Sequence, residues 1–475
     1  MHPGVPTILL EFNELTPSLM WRFMSEGRLP NFSRLFKESH TFLTDAGEDP
    51  PWLEPWIQWV TVHTGIPAQQ HGIFNLGDST NVKQPAIWDI VSEQGHPVWV
   101  CGSMNAFYKP GIRGQILPDP WSVRVRPTPD RLSPYFDFVR GQVMEYTRTK
   151  SSYETKEALQ FAVFMARNGL TLSTTLAIAG QLMHERIGPA RWRRATILDR
   201  MQYDLFESNF RRIRPRLATF FLNSTAHLQH VYWRNLEPQK FSVTPSEAEQ
   251  AAYGDAVLYG YEKMDDLVGK AISLAGNEAA IVFLTALSQQ PCLKYEGQGG
   301  KRFYKPISYA KVLKAVGIDA TTCEPQPVMS EQFHLRFRNT EAARLAYDRL
   351  CAVTVDGRPA FASSLDGSSV MTGCAITQEL PPDALLRAAD QAVLFNSVFY
   401  LVDLKKSGMH HRDGMAWFRL PDRSHSEGRG PVPLIDVAPT ILSVLGIEKP
   451  SYMTGQVMDI CDSESLSGSR AAAVA

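Results

Sequence analysis

Short apolar runs alternate with amphipathic stretches along most of this chain. Apolar runs occur near 7–12, 97–101, 217–222, 280–284 and 398–402. Segments that are apolar at nearly every position are typical of strands buried on both faces of a mainly parallel sheet. The pattern therefore predicts an α/β protein with a doubly wound, mainly parallel sheet.

Helix signals follow the predicted strands. Thr16-Pro17 indicates a helix with proline at its first position, and Gly27 indicates its end. The segment 87–95 has helical spacing, ends in glycine and is followed by the apolar run near 97–101. Strand and helix therefore alternate, as in βα units.

Two stretches interrupt this alternation. Residues 125–210 are mostly helical in pattern, while residues 292–395 combine a strand-like 332–337, a helix over 340–350 and an Asp356-Gly357 turn. The sequence thus predicts a core in three parts with a helical insert, a small α+β insert and a disordered Ser/Gly/Ala-rich tail. The predicted bounds are 1–124, 211–291 and 396–460 for the core, 125–210 for the helical insert, 292–395 for the α+β insert and 461–475 for the tail.

Arginine is concentrated at the end of the helical insert. Nine arginines lie between Arg186 and Arg216, against Asp199, Asp204 and Glu207. Such a run is most often a solvated helix face, and the alternative is a surface that meets an anion or a membrane. The sequence leaves both interpretations open.

Composition limits the classes of partner. Lys+Arg number 48 and Asp+Glu 49, so the net charge of -1 provides no global field for nucleic acid or an anionic membrane. The first residues do not form a basic region followed by an apolar run, and no stretch approaches the ~20 apolar residues of a membrane span. The six cysteines lack CxxC spacing, which argues against a zinc knuckle and against a disulfide framework. These features predict a cytoplasmic protein.

A motif after the first βα unit suggests a family. Residues 54–65 read EPWIQWVTVHTG and are followed by Pro67 and His71-Gly72-Ile73. This segment resembles the nucleophile region of the alkaline phosphatase superfamily, most closely its type I phosphodiesterase and nucleotide pyrophosphatase branch. Residues 434–442, with Leu445-Gly446 and Gly455 downstream, resemble the closing helix of the same family. The resemblance implies an alkaline-phosphatase-like core.

The nucleophile of that family is missing. The family places a Thr or Ser nine residues before the Thr of its Thr-Gly pair, and here that position is Pro55. Proline has no hydroxyl to phosphorylate. Hydrolysis through the family's covalent intermediate is therefore excluded.

The resemblance also implies two metal ions, commonly zinc, and it maps their ligands onto this chain. The ligand positions of one ion fall on Asn13, Pro55, Ala286 and Leu287, so that site is lost. The positions of the other fall on Asn223, His227 and His410. The resemblance thus implies at most one divalent, zinc-like ion.

His230 lies one helical turn after His227 and is a further candidate ligand. The alternative is a pair of hydrogen-bonded histidines without metal, because Asn223 replaces the carboxylate that offsets the charge of the ion. The sequence does not decide between the two.

Other polar and aromatic residues cluster around the expected cleft. Candidate acids and bases are Glu11, Glu54, His227 and His410. Indole faces with amide and carboxylate tips suit a polyhydroxylated or anionic ligand, although tryptophans in such a segment are also common in a core. Candidate substrate-binding residues are Asn13, Trp56, Gln58, Asn223, His230, Ser288, Gln289 and His411.

Three classes of function remain. We expect a hydrolase or transferase with a rebuilt active site, acting on a phosphorylated, sulfated or glycosidic small molecule. An enzyme of this kind requires Glu11 or Glu54 within hydrogen-bond reach of a histidine in an open cleft. The alternative is a catalytically inactive pseudoenzyme that binds a sugar-like or anionic ligand, and the third class is a structural protein that docks through the helical insert. Nothing indicates a nucleic-acid partner, and the oligomeric state is open.

Overall fold

A central sheet of nine strands organises the chain. The computed structural model describes residues 4–122, 124–145, 155–327 and 332–460, so the predicted tail lies outside the described residues. Most neighbouring strands of the sheet run parallel, and Asp413–Arg419 runs antiparallel to both of its neighbours. The strand order is Ser426–Glu427, His40–Asp45, Asp413–Arg419, Ala280–Thr285, Thr7–Phe12, Leu217–Leu222, Val98–Cys101 and Gly114–Leu117, and Val432–Pro433 also pairs with His40–Asp45.

Both faces of this sheet are covered by helices. Ile8, Leu10 and Phe12 join one apolar core, while Leu9 joins a second core on the opposite face. This alternation confirms the predicted doubly wound α/β arrangement. The helices are Pro17–Ser25, Pro30–Lys37, Pro55–Thr64, Ala68–His71, Ile87–Glu93, Ser224–Leu236, Glu247–Tyr253, Ala256–Ala275 and Val437–Val444.

The predicted helical insert contributes to the first of these cores. Its helices are Ser133–Glu145, Thr155–Arg167, Leu172–Ile187 and Arg194–Ile213. Several of its arginines form ion pairs, among them Arg194 with Glu185 and Arg211 with Glu207. Among the described residues, no helix combines the length and the apolar character that a bilayer crossing requires.

The α+β stretch has a core of its own. Asp356 and Gly357, both at positive φ, form the predicted turn. One sheet contains Phe361–Asp366, Ser369–Cys374, Gln332–Phe337 and Cys323–Pro327, a second contains Arg358–Pro359, Thr354–Val355, Leu385–Arg387 and Ala392–Leu394, and the helices are Tyr309–Ala315 and Thr340–Ala352.

Two ribbons complete the fold. Phe399–Lys405 pairs with Arg302–Pro306, so the strand predicted near 398–402 exists but lies outside the central sheet. Gly408–His411 pairs with Ser288–Pro291, which follows directly after the central strand Ala280–Thr285. The second ribbon therefore places His410 beside the carboxyl end of the sheet.

Candidate active site

Three potential metal ligands meet at the carboxyl edge of the central sheet. Glu14 follows the first strand, His230 lies on the helix after Leu217–Leu222, and His410 lies on the ribbon after Ala280–Thr285. These three strands are neighbours, and parallel α/β sheets place ligand sites at this edge. One ligand atom from each side chain lies within 4.8 Å of the other two.

The backbone at Glu14 turns its carboxylate into the cluster. Glu14 has a φ of 60°, which is uncommon for a residue other than glycine, and its side chain is only 2% exposed. Nδ2 of Asn13 donates to Oε1 at 2.7 Å, and Nε2 of Gln289 donates to Oε2 at 2.6 Å. Gln229 donates to the backbone carbonyl of Glu14. The carboxylate is therefore held from several sides.

The surroundings of Glu14 favour its charged form. Burial alone would raise the pKa of the carboxyl group. Proximity to the imidazoles of His410 and His230, with a hydrogen bond from Gln289, outweighs burial and lowers the pKa to about 2. Burial lowers the pKa of His410 to about 4, although the charge of Glu14 opposes this change. The cluster thus combines a carboxylate with an imidazole that is neutral at neutral pH.

Hydrogen bonds to backbone carbonyls fix the tautomers of both histidines. Nδ1 of His230 donates to the carbonyl of Gly408 at 3.1 Å, and Nδ1 of His410 donates to the carbonyl of Leu53 at 2.9 Å. A carbonyl oxygen only accepts, so each Nδ1 carries a proton. In the neutral ring, Nε2 therefore carries a lone pair.

Both Nε2 atoms face the same oxygen of Glu14. The distances to Oε2 are 3.0 Å from His230 and 3.6 Å from His410. Two lone pairs directed at a carboxylate oxygen repel it unless a proton or a cation lies between them. Tetrahedral ligands about 2.0–2.1 Å from a zinc ion are roughly 3.4 Å apart, which matches these separations. The residues present therefore fit a divalent ion.

One side of the cluster reaches solvent. The side chains of His230 and His410 are 29% and 18% exposed. Glu54 is also partly exposed, and its Oε2 lies 3.4 Å from Nδ1 of His410. Three protein ligands with an accessible fourth position are typical of catalytic rather than structural zinc sites. Hydrogen bonds from the ring nitrogen that does not bind the metal, here Nδ1, are typical of catalytic and structural zinc sites alike.

Amides lie at two positions that the resemblance assigned to carboxylate ligands. Nδ2 of Asn13 donates to Oδ1 of Asn223 at 2.7 Å, and Oδ1 of Asn13 accepts from Nε1 of Trp59 at 2.8 Å. Ala286 and Leu287 are fully buried in the apolar core. The four positions that the resemblance assigned to a second ion, Asn13, Pro55, Ala286 and Leu287, therefore carry no carboxylate.

Glu11 forms a separate pair beneath the site. Its Oε1 lies 2.9 Å from Nε2 of His63, and both side chains are completely buried. His63 packs against the rings of Trp59 and Trp88. Glu11 therefore lies within hydrogen-bond reach of a histidine, as the enzyme hypothesis requires, but in the core and not in an open cleft.

The remaining predicted residues fall into two groups. His227 is exposed on the same helix as His230, and it is not one of the three ligands that cluster. His411 follows His410 in the ribbon, so its side chain points to the opposite face, where Nδ1 lies 3.7 Å from Asp413. Three others, Trp56, Gln58 and Ser288, are buried. Trp56 donates to the carbonyl of Phe74, and Gln58 donates to the carbonyl of Trp52.

Two lysines lie near histidines of the helix and the ribbon that form the site. The charge of Lys406 acts on His410, and the charge of Lys305 acts on His227. Trp52 is exposed and packs against Phe74. It precedes Leu53, whose carbonyl accepts the hydrogen bond from His410. A ligand at this rim would meet cations and an indole. A separate cavity of about 510 Å³, lined by Arg22, Trp192 and Gln250 among others, does not include the cluster.

Glu14 is the member of this cluster that the sequence analysis did not select. Counting by the family's spacing selects Asn13, and the adjacent Glu14 is not among the candidates. Glu14 has a positive φ and its carboxylate lies in the cluster, where the side chain of Asn13 donates to it. The signal in the sequence was a carboxylate, Glu14, that directly follows Asn13 just after the first strand.

Restoring the hydroxyl alone should not restore the family's chemistry. Pro55 is the first residue of the buried helix Pro55–Thr64, and the neighbouring ligand positions are occupied by Asn13, Ala286 and Leu287. We expect Pro55→Thr to give no phosphorylated protein and no gain in ester hydrolysis, with a stability loss of up to about 1 kcal/mol. Mass spectrometry after incubation with a phosphodiester measures phosphorylation.

The matched control is Pro30→Thr, since Pro30 also begins a helix. A phosphoryl group trapped on residue 55 would show that the surrounding side chains can activate a hydroxyl after all.

Comparisons with known proteins identify similar folds. No protein-family model matches the chain, and no curated protein matches its sequence. Among solved structures, murine ectonucleotide pyrophosphatase/phosphodiesterase 5 is 12% identical over 96% of this chain and 100% of its own, with a TM-score of 0.42. An inactive variant of it is solved in complex with AMP. Phosphonoacetate hydrolase from Sinorhizobium meliloti 1021, in complex with phosphonoformate, is 12% identical over 93% and 96%, with a TM-score of 0.44. At this level of similarity neither structure assigns a substrate or an active residue to this chain.

Proposed function

We propose that this protein is a hydrolase of small phosphate or sulfate esters that uses one divalent ion held by Glu14, His230 and His410. The observation that carries the proposal is the convergence of both Nε2 atoms on one oxygen of Glu14. The two fixed tautomers leave lone pairs for a cation, and the carboxylate offsets part of its charge. When bound, the ion would supply a Lewis acid that polarises the ester.

The rim favours an anionic substrate over a neutral glycoside. Lys305 and Lys406 provide positive charge beside the histidines, and they would bind the oxygens of a phosphate or sulfate group. The exposed indole of Trp52 would pack against the organic part of the ester. Glycosides lack the negative charge that this rim would recognise.

Glu54 is the proposed proton acceptor. Water would attack phosphorus or sulfur, the ester oxygen would leave with the bonding electron pair, and one proton would pass from the water through Glu54 to the leaving oxygen. Glu54 is partly exposed and lies 3.4 Å from Nδ1 of His410, so a proton can reach it from solvent. No covalent intermediate is needed, which agrees with proline at position 55.

The proposal is tested with chromogenic phosphodiester, phosphomonoester and sulfate ester substrates in the presence of zinc. We expect turnover of at least one of them, its loss with a chelator, and a rate reduced about 100-fold or more in Glu54→Gln, as for removal of a general base. Glu278→Gln is the matched control, because Glu278 is exposed at the amino end of its strand. Absence of turnover, with retained binding of phosphate, would favour the inactive binding protein instead.

A further inference from the structure

Helix Leu172–Ile187 has its apolar face outward. Leu172, Leu176, Met183 and Ile187 recur at helical spacing and are 74%, 63%, 65% and 86% exposed. The opposite face lies against the protein and is only partly apolar, with Ala177 and Ile178 half-buried there. Thr174 and Gln181 are the buried residues of the helix, and Gln181 donates to the carbonyl of Ala190. The most exposed side chains of this helix are therefore apolar, unlike those of an ordinary surface helix.

The preceding helix adds to the exposed apolar surface. In Thr155–Arg167, Phe161, Phe164 and Met165 are buried in the core, while Leu159 and Val163 are exposed. Only four residues separate the two helices. Exposed apolar surface of this extent on consecutive helices marks a binding surface.

The charges around these helices favour one kind of partner. Residues 155–194 contain six Lys and Arg against two Glu, a net charge of +4 in a chain whose net charge is -1. Glu185 is paired with Arg194. Arg186, next to Ile187 in the stripe, and Arg191, four residues beyond it, are exposed. Apolar residues bordered by arginines are typical of helices that lie in the interface of an anionic bilayer.

A second copy of the chain is less suited to this surface. A symmetric dimer brings the same patch of each subunit into contact, so the positive charge would face itself. We therefore propose that helices Thr155–Arg167 and Leu172–Ile187 dock the protein onto a negatively charged lipid surface. This surface is distinct from the Glu14 cluster, and the inference does not depend on the proposed hydrolysis.

Flotation with vesicles tests this inference. The wild-type protein should float with vesicles of phosphatidylcholine and phosphatidylserine in equal parts, and much less with phosphatidylcholine alone. Leu176→Ser combined with Met183→Ser should lower the partition coefficient about 100-fold or more, because each apolar side chain contributes roughly 1.5 kcal/mol when buried and every 1.4 kcal/mol is about a tenfold change. Leu345→Ser is the matched control, since Leu345 is 60% exposed on the helix Thr340–Ala352 of the α+β stretch.

Circular dichroism verifies that each variant is folded. Three results would overturn the inference: wild-type protein that does not float, equal flotation of the double variant, or a dimer in light scattering that the double variant dissociates while neither protein floats. The last result would identify a second copy as the partner.

Discussion

His230→Ala is expected to weaken zinc binding by more than about 100-fold, the upper range for loss of a group that only supports a ligand. His230 faces Oε2 of Glu14 at 3.0 Å, and its Nδ1–H is committed to the carbonyl of Gly408. Its removal leaves two protein ligands for the ion. Calorimetric titration with zinc, with a competing chelator for tight binding, measures the affinity.

His227→Ala is the matched control on the same helix. The family's spacing selects His227 as the ligand, whereas the structure leaves it exposed and outside the cluster. We expect this variant to bind zinc nearly as tightly as the wild-type protein. If His227→Ala loses zinc and His230→Ala retains it, the ligand set proposed here is wrong.

Asn13→Asp is expected to destabilise the metal-free protein by about 3–5 kcal/mol, the range for an uncompensated buried charge. Nδ2 of Asn13 donates to Glu14 and to Asn223, and an aspartate would lose both hydrogen bonds. It would also place a second carboxylate beside Glu14 at a completely buried position. Urea unfolding in the presence of a chelator measures the change in the free energy of unfolding.

Asn277→Asp provides the control, because Asn277 is exposed and its Oδ1 accepts from Arg423. A carboxylate should be tolerated there. If Asn13→Asp is as stable as the wild-type protein without metal, the site accommodates two carboxylates and has not been rebuilt around a single ion.

The sequence predicted the fold better than the details of the sheet. Runs such as 7–12 and 217–222 are apolar on both faces, and this signal is local. The antiparallel strand Asp413–Arg419 was missed, and the strand near 398–402 was placed in the wrong sheet. Which strands pair depends on contacts between segments far apart in the chain, which apolar periodicity does not encode.

The sequence analysis selected two of the three residues that cluster in the candidate site. His410 was identified from its motif, and His230 from its spacing to His227. Helical spacing alone could not show which of the two imidazoles points inward. Glu14 was missed because its backbone conformation, and not its position in the sequence, brings its carboxylate into the cluster.

Glu11 illustrates a different limit. A carboxylate in an apolar strand suggested chemistry, and the structure places it against His63 in the core. Long-range packing therefore separates two carboxylates that are three residues apart, Glu11 in the interior and Glu14 at the edge of the site.

Zinc-edge anomalous diffraction from crystals grown with zinc tests the central claim most directly. We predict one anomalous peak per chain, about 2.0–2.2 Å from Nε2 of His230, Nε2 of His410 and a carboxylate oxygen of Glu14. Two peaks at this edge of the sheet, or a single peak on His227 and Asn223 without Glu14, would contradict the account.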